Sequence, residues 1–220
     1  MAGRRPSAAV RARASALDGA LMRALPDARC ELTHRSPFEL LVAVILSAQT
    51  TDRGVNLCTP GLFARYPSPA DLAGADLAEV ETLIKRTGFF RTKARHIVEA
   101  ARLLVERHGG EVPQTEAELR SLPGVARKTA NVVLGTAFGI ANGIAVDTHA
   151  ARVSRRLRLT SHSDPVKIEQ DLLALFPPSR WIDMHHRLVL FGRYTCQARK
   201  PLCGECPCAG FCPSRAALAG

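Results

Sequence analysis

Apolar residues recur at three- and four-residue intervals along most of the chain, and no stretch alternates convincingly between apolar and polar positions. This spacing is typical of amphipathic α-helices, whereas a half-buried strand alternates with a period of two. The longest apolar run, residues 40–46, follows Ser36-Pro37, which supplies an N-cap and a proline at the first helical position. The pattern therefore predicts an all-α protein with a central buried helix that ends near Leu46.

The other periodic segments predict further helices joined by short turns. Residues 1–15 are small and basic and are expected to form a disordered tail. Gly139 to Gly143 is short and glycine-rich, which makes it the best candidate for a crossing between two domains. The remaining helices are expected at residues 15–25, 53–65, 76–86, 92–107, 165–175 and 181–194.

A helical hairpin is predicted around residues 116–134. Residues 116–120 form a short helix, and Pro123-Gly124 is a type II turn signal because glycine accepts the positive φ of the third turn position. Helical spacing resumes from Val125. The start of the second helix presents unpaired backbone amides and the positive end of the helix dipole, so a phosphate is its natural ligand.

Lys128 lies in the first turn of that second helix. The positive dipole end favours the neutral form of an amine placed there, and a neutral amine is a nucleophile. The structural alternative is a packing corner with a solvated lysine, and the hairpin pattern by itself leaves both interpretations open.

The charge balance indicates a polyanionic partner. Lysine and arginine total 30 against 20 acidic residues, which gives a formal net charge of +10. The longest apolar run is too short to span a bilayer, and Arg11 and Arg13 interrupt any hydrophobic signal region. A soluble intracellular protein that binds nucleic acid is therefore expected, rather than a membrane protein.

Five of the seven cysteines lie in one short C-terminal segment, with the spacing Cys196-x6-Cys203-x2-Cys206-x5-Cys212 and with Cys208 inside the last gap. An odd total bunched in this way argues against a secreted disulfide framework and favours a metal site. Zinc usually takes paired Cys-x2-Cys knuckles, and this segment has one such pair. The wider gaps favour a [4Fe–4S] cluster, although spacing alone leaves zinc open and Cys208 as a fifth candidate thiol.

Taken together, these motifs resemble those of the endonuclease III family of helix-hairpin-helix DNA glycosylases with lyase activity. The resemblance covers nearly the whole chain from about Leu25 and includes the cysteine spacing. It implies a two-lobed all-α fold with a DNA-binding cleft between the lobes: a six-helix barrel over residues 30–141, and a lobe of residues 1–29 plus 142–220 that carries a [4Fe–4S] cluster. The matching motifs are LSAQTTD at 46–52, LPGVARKTAN at 122–131, VDTH at 146–149, the histidine pair at 185–186 and GRYTC at 192–196.

The resemblance also implies roles for individual residues. Lys128 matches the family's nucleophile, which attacks C1′ of a flipped-out nucleotide, displaces the base and forms a Schiff base before β-elimination of the 3′ phosphate. Asp147 matches the catalytic carboxylate, which stabilises cationic character on the sugar. Gln49 would fill the space left by the flipped base, and Phe89 would act as a wedge at the opposite strand. The remaining expected roles are phosphate binding by Gly124, Val125, Ala126 and Arg127, and cluster ligation by Cys196, Cys203, Cys206 and Cys212.

Several of these residues have a plain structural alternative. Gln49 is explained as a helix end that faces water, Phe89 as half of an inward-folded staple, and Asp147 as an N-cap. Two positions depart from the family pattern. Ala126 stands where a second hairpin glycine is common, although alanine tolerates positive φ poorly. Phe89-Phe90 replaces the more usual aliphatic–aromatic pair.

The expected function is that of a bifunctional DNA glycosylase and AP lyase of base excision repair, which acts as a cytoplasmic, nucleoid-associated monomer. It would excise oxidised pyrimidines from duplex DNA and cleave the strand 3′ to the abasic site. Three alternatives stay open: a mismatch or adenine glycosylase of the same superfamily, a non-catalytic DNA-binding protein with a redox-sensing cluster, and a zinc-stabilised nucleic-acid-binding module. Lys128 weighs against the first, because a purely hydrolytic glycosylase needs only a water and a carboxylate.

Overall fold

The computed structural model describes residues 6–218, and within that range the chain forms helices and turns without a strand. The predicted all-α class is confirmed. Among the described helices, none combines the length and the apolar character needed to cross a bilayer. The chain divides into two compact units. One is Cys30–Ile140, and the other combines the described residues up to Arg29 with those from Ala141 onward.

The first helix, α1 (Ala8–Ala24), belongs to the second of these units. The Cys30–Ile140 unit contains α2 (Pro37–Leu46), α3 (Asp52–Asn56), α4 (Thr59–Arg65), α5 (Pro69–Ala73), α6 (Leu77–Leu83), a 3₁₀ turn at Lys85–Thr87, α7 (Phe90–His108), α8 (Glu116–Arg120) and α9 (Arg127–Phe138). The chain then continues through α10 (Thr148–Arg156), α11 (Pro165–Leu173), a 3₁₀ turn at Pro178–Arg180, α12 (Trp181–Tyr194) and α13 (Arg215–Leu218).

Helix α2 is the core element of the Cys30–Ile140 unit. Ser36 caps it by accepting a hydrogen bond from the Glu39 N–H at 3.2 Å, and Pro37 occupies its first turn, as the sequence predicts. Every residue from Phe38 to Leu46 is buried. Helices α7 and α9 both pack against α2. Apart from Glu39, which pairs with Arg35 at 2.8 Å, the helix is apolar on all sides, as is typical of a helix that neighbours cover on several sides.

The other unit has its own hydrophobic core. Helix α12 packs against α1 and α10, and α10 also contacts α11. The packed side chains are fully buried and include Leu17, Leu21, Val153, Leu172 and Leu188. Arg180 and Asp18 form an ion pair at 2.7 Å, with both side chains about one quarter exposed, and this pair joins α1 to the start of α12.

The prediction of a disordered N-terminal tail over residues 1–15 is wrong for residues 8–15. Helix α1 begins at Ala8, and Ser7 caps it by accepting a hydrogen bond from the Val10 N–H, so residues 8–15 are helical rather than disordered. Alanine and arginine dominate these residues and are strong helix formers, and Ala14 is buried with Leu17 one turn later. The first five residues of the predicted tail lie outside the described range.

The helix expected over residues 53–65 is two helices. Helix α3 ends at Asn56, and α4 starts at Thr59 with Pro60 in its first turn. Proline has no N–H to continue a helix and disfavours the helical conformation in the residue before it. The break therefore lies just before Pro60.

Candidate functional site

The helix-hairpin-helix is present as the sequence predicts. Helix α8 leads into a tight turn in which the Val125 N–H donates to the Leu122 carbonyl at 3.2 Å. Gly124 has φ of +79°, the positive value that the third position of a type II turn requires. Leu122 and Val125 are both buried, so the turn is fixed to the core while Gly124 itself is exposed.

Gly124 is required by its surroundings as well as by its dihedral angle. A Cβ at this position would lie 3.0 Å from Ile45 Cγ2 and 3.1 Å from His96 Nδ1. Ile45 belongs to α2 and His96 to α7, so both of these helices contact the turn. By contrast, Ala126 has φ of −87°, which an alanine adopts without strain. The absence of a glycine at Ala126 therefore leaves the hairpin geometry intact.

Helix α9 starts at Arg127, with Ala126 as its N-cap. Alanine cannot supply the side-chain oxygen with which Ser, Thr or Asp satisfies first-turn amides, so the helix presents its positive dipole end without such a cap. The Arg127 guanidinium forms an ion pair with Glu116 at 3.0 Å. Lys128 is the second residue of α9, and its side chain is exposed.

Gln49 and Phe89 share an unusual backbone conformation. Their φ angles are +53° and +45°, in the left-handed region that residues other than glycine rarely occupy, and both residues are exposed. Phe89 is 70% exposed, which overturns the inward-folded staple as an explanation for it. Gln49 follows the end of α2, and Phe89 precedes the first residue of α7. Exposed side chains on a strained backbone are a common feature of functional sites.

Lys93 connects the two loops that carry these residues. Its side chain is buried at 5% exposure, and its ammonium donates to the Leu46 carbonyl at 2.8 Å, to Thr50 Oγ1 at 2.8 Å and to the Thr87 carbonyl at 2.5 Å. The Thr50 hydroxyl also donates to the Thr87 carbonyl. Burial lowers the pKa of the Lys93 ammonium, and the nearby Cys58 thiol partly opposes that shift.

Sequence reasoning missed Lys93, although a signal was available. Lys93 lies four residues before Ile97 and eight before Ala101, on the buried stripe of the amphipathic helix α7. A lysine on such a stripe must either extend its ammonium to solvent or direct it to internal acceptors, because an unpaired charge inside a core is very costly. The acceptors themselves come from distant segments and could not be identified from the pattern.

Asp147 lies in the other unit, where it is the N-cap of α10. Its Oδ1 accepts a hydrogen bond from the Ala150 N–H at 2.8 Å, and its side chain is half-buried. The structure therefore bears out the capping interpretation. Capping uses one carboxylate oxygen, so it is compatible with a second role for the same group.

The backbone on both sides of Asp147 is held by α12. The buried His185 ring makes a hydrogen bond through Nδ1 with the Ala145 carbonyl at 2.8 Å. Gly192 approaches the start of α10 so closely that a Cβ there would lie 2.8 Å from His149 Cβ. Two of the histidine and glycine positions noted in the sequence thus fix the segment that carries Asp147.

The C-terminal cysteines line one pocket in the same unit, which is partly open to solvent. Cys208 is fully buried, whereas the other four are partly exposed. Among the described residues, no group of three or more His, Cys, Asp or Glu side chains is arranged to hold a single metal ion. The cysteines that line the pocket are Cys196, Cys203, Cys206, Cys208 and Cys212.

Two of these thiols shift each other's pKa in opposite directions. A hydrogen bond with the Cys208 thiol lowers the pKa of the Cys206 thiol to about 6. The same hydrogen bond, together with burial, raises the pKa of Cys208. This interaction therefore favours the thiolate form of Cys206 and the neutral form of Cys208.

Two arginines of α10 bind the backbone of the cysteine segment. Arg152 donates to the Cys196 carbonyl at 3.1 Å and to the Gly192 carbonyl at 2.6 Å. Arg156 donates to the Gln197 carbonyl at 2.6 Å and approaches Cys196 Sγ at 3.3 Å. The pocket wall is thus attached to the helix that Asp147 caps.

Comparisons with known proteins agree with this arrangement. Residues 42–178 match the family model described as HhH-GPD superfamily base excision DNA repair protein, and the chain is therefore a member of that superfamily. Endonuclease III of Synechocystis is 54% identical over 194 residues, 88% of this chain and 89% of the relative. Endonuclease III of Escherichia coli K12 is 47% identical over 187 residues, 85% of this chain and 88% of the relative. The chain belongs to the endonuclease III family of this superfamily.

Solved structures agree with the family assignment. A trapped endonuclease III–DNA covalent intermediate superimposes with a TM-score of 0.90 at 43% identity, covering 96% of this chain and 99% of that one. A non-covalent endonuclease III–DNA complex gives a TM-score of 0.89 at the same identity, over 96% and 98% of the two chains. A thermostable thymine-DNA glycosylase at 24% identity shares the fold, with a TM-score of 0.84.

Proposed function

We propose that Lys128 is the nucleophile and Asp147 the catalytic carboxylate of a bifunctional DNA glycosylase. As a member of the endonuclease III family, the chain is a base excision repair enzyme, a DNA N-glycosylase with AP lyase activity. The observation that carries the proposal is the exposed amine of Lys128 in the first turn of α9, four residues after Gly124. There the amine lies next to the site where the hairpin would bind a phosphate.

The chemistry follows from these two groups. A damaged pyrimidine must leave the stack before its sugar can be reached, at a cost of a few kcal/mol. Lys128 Nζ then attacks C1′, the glycosidic bond breaks, and the base departs with the bonding electrons and is protonated. Opening of the sugar ring gives the Schiff base. Loss of a proton from C2′ then expels the 3′ phosphate by β-elimination. The Asp147 carboxylate would stabilise positive charge on the sugar during the first step.

The DNA contacts follow from the exposed parts of the Cys30–Ile140 unit. The amides of Gly124 and Ala126 would bind a phosphate together with Arg127, which must then exchange its pairing with Glu116 for the DNA. Gln49 would occupy the space of the flipped nucleotide, and Phe89 would insert at the opposite strand. Two solved relatives are endonuclease III bound to DNA, one of them as a covalent intermediate, and this supports duplex DNA as the substrate. The lesion would be an oxidised pyrimidine or an abasic site.

The cysteine pocket fits a [4Fe–4S] cluster. A tetrahedral zinc ion with Zn–S bonds of about 2.3 Å needs four sulfurs about 3.8 Å apart. A cubane cluster instead takes one thiolate at each of four iron atoms, so its ligands are spread more widely over a pocket wall. Cys196, Cys203, Cys206 and Cys212 would be those ligands, and the buried Cys208 would not. When bound, the cluster would cross-link the segment from residue 196 to 212 beside the hydrophobic core of the domain of residues 1–29 and 142–220. Residues 30–141 would form the six-helix barrel that the family resemblance implies.

Borohydride trapping tests the nucleophile. Wild-type protein mixed with an abasic duplex and reduced with borohydride is expected to give a covalent protein–DNA adduct, and Lys128→Ala is expected to give none. Lys167→Ala is the matched control, because Lys167 is also an exposed lysine in the first turn of a helix, α11. An adduct that survives Lys128→Ala would overturn the assignment.

A panel of duplexes tests the substrate class. Duplexes that carry an oxidised pyrimidine, a mismatch, an oxidised purine or an abasic site are each scored for base release and strand cleavage separately. Oxidised pyrimidines are expected to be excised fastest, with cleavage on the 3′ side. Base release from mismatches without cleavage would instead favour a hydrolytic glycosylase.

A further inference from the structure

Lys93 is a buried cation that uses its whole hydrogen-bonding capacity on the backbone and one hydroxyl. Its three donors are directed to the Leu46 carbonyl, Thr50 Oγ1 and the Thr87 carbonyl, at 2.8, 2.8 and 2.5 Å. Leu46 is the last residue of α2, so the ammonium lies at the negative end of that helix dipole. This interaction offsets part of the cost of burying the charge.

The acceptors of Lys93 flank the two strained, exposed residues. Gln49 lies between Leu46 and Thr50, and Phe89 lies two residues after Thr87. The Thr50 hydroxyl also donates to the Thr87 carbonyl, which gives the two loops a second direct connection. One buried side chain thus binds the backbone or side chain of residues next to Gln49 and Phe89 in both loops. The side chains of Gln49 and Phe89 themselves are exposed.

We propose that Lys93 is a positioning residue for nucleotide flipping, which fixes Gln49 and Phe89 relative to each other so that both enter the duplex in one step. This inference rests on the proposed DNA contacts of those two side chains. Left-handed backbone at both positions persists only where the surroundings determine it. The Lys93 ammonium contacts both loops and also binds the Thr50 hydroxyl that links them. Because the two loops are fixed before binding, the entropy cost of ordering them does not reduce the binding free energy.

Lys93→Met tests the proposal, because methionine keeps the length of the side chain and removes the ammonium. Single-turnover base release at saturating enzyme is expected to fall about tenfold to a hundredfold. A 2-aminopurine placed beside the lesion is expected to show a matching loss of its unstacking fluorescence. Lys85→Met is the control, because it removes the same charge from an exposed side chain in the neighbouring 3₁₀ turn. Thr50→Val removes only the bridging hydroxyl and is expected to give a smaller loss of base release and of unstacking fluorescence. It serves as the test variant if Lys93→Met does not fold.

The decisive comparison repeats each substitution in a Gln49→Ala/Phe89→Ala background. If Lys93 acts through these two side chains, Lys93→Met adds little further loss there; a general structural role would add the same fold-loss in both backgrounds and would overturn the inference. A Gln49→Ala/Phe89→Ala protein that releases bases and unstacks DNA as wild type does would instead refute the proposed DNA contacts, and the inference with them.

Discussion

Asp147 accepts a hydrogen bond from the Ala150 N–H through one carboxylate oxygen at 2.8 Å. The residue therefore has a structural task at the start of α10, whatever its part in catalysis. The two tasks differ in what they require, because an N-cap needs a side-chain oxygen, whereas stabilisation of a cationic sugar needs a negative charge. Substitution can separate them.

Asp147→Asn is expected to keep the cap and remove the charge. Asparagine caps helices as well as aspartate does, so the free energy of unfolding should stay near the wild-type value, while turnover falls about a hundredfold or more. Asp147→Ala should show the same loss of turnover together with a loss of about 0.5–2 kcal/mol in stability. Denaturant unfolding, single-turnover kinetics and the affinity for an abasic-site analogue measure the three quantities separately.

The affinity measurement decides between the two interpretations of Asp147. A catalytic carboxylate predicts that Asp147→Asn binds DNA nearly as well as wild type while it reacts slowly. Equal losses in affinity and turnover, or an active Asp147→Asn protein, would leave the residue as an N-cap alone.

Gly124→Ala is expected to destabilise the hairpin and weaken phosphate binding together. The new Cβ would meet Ile45 and His96 at 3.0 and 3.1 Å, and φ of +79° is strained for alanine. Overpacking of this kind costs about 1–3 kcal/mol. Ala126→Gly, two residues on, is the control: φ there is −87°, and glycine is tolerated at an N-cap, so stability should change little. The midpoint of urea unfolding and the affinity for an abasic-site duplex would test both variants. A Gly124→Ala protein with unchanged stability and unchanged DNA affinity would contradict the proposed role of this turn in phosphate binding.

Metal analysis of cysteine variants tests the cluster and its ligand set. Freshly purified protein is expected to be brown and to contain about four iron atoms per chain. Serine at Cys196, Cys203, Cys206 or Cys212 should remove most of the iron, whereas Cys208→Ser should retain it because Cys208 is a core thiol with no exposure. Cys58→Ser, which alters a buried thiol of the Cys30–Ile140 unit, is the control. A colourless protein with one zinc per chain would refute the cluster, and loss of iron from Cys208→Ser would refute the ligand assignment.

Local chemistry explains which features could be predicted from the sequence. The cap by Ser36, the proline at the start of α2 and the positive φ of Gly124 each depend on residues that are neighbours in the chain. The apolar run that ends at Leu46 also predicts its own burial, because it has no polar face to turn toward water. These features were therefore predicted in place and in type.

The remaining features depend on contacts between distant segments. Lys93 finds its acceptors 47, 43 and 6 residues away in the chain. The left-handed backbone of Gln49 and Phe89 is imposed by such contacts, since neither residue type prefers it. The start of α1 was also missed, because its basic residues resemble a solvated tail until the burial of its apolar side is known.

The positive φ angles of Gln49 and Phe89 have a consequence for the evolution of this enzyme. Left-handed backbone costs about 1–3 kcal/mol at each residue that is not glycine, so glycine at either position would make the free protein more stable. Glycine would also remove the side chain that we propose enters the DNA. Selection for heat tolerance alone would therefore favour changes at these two codons that reduce repair, whereas selection under oxidative mutagenesis would oppose them.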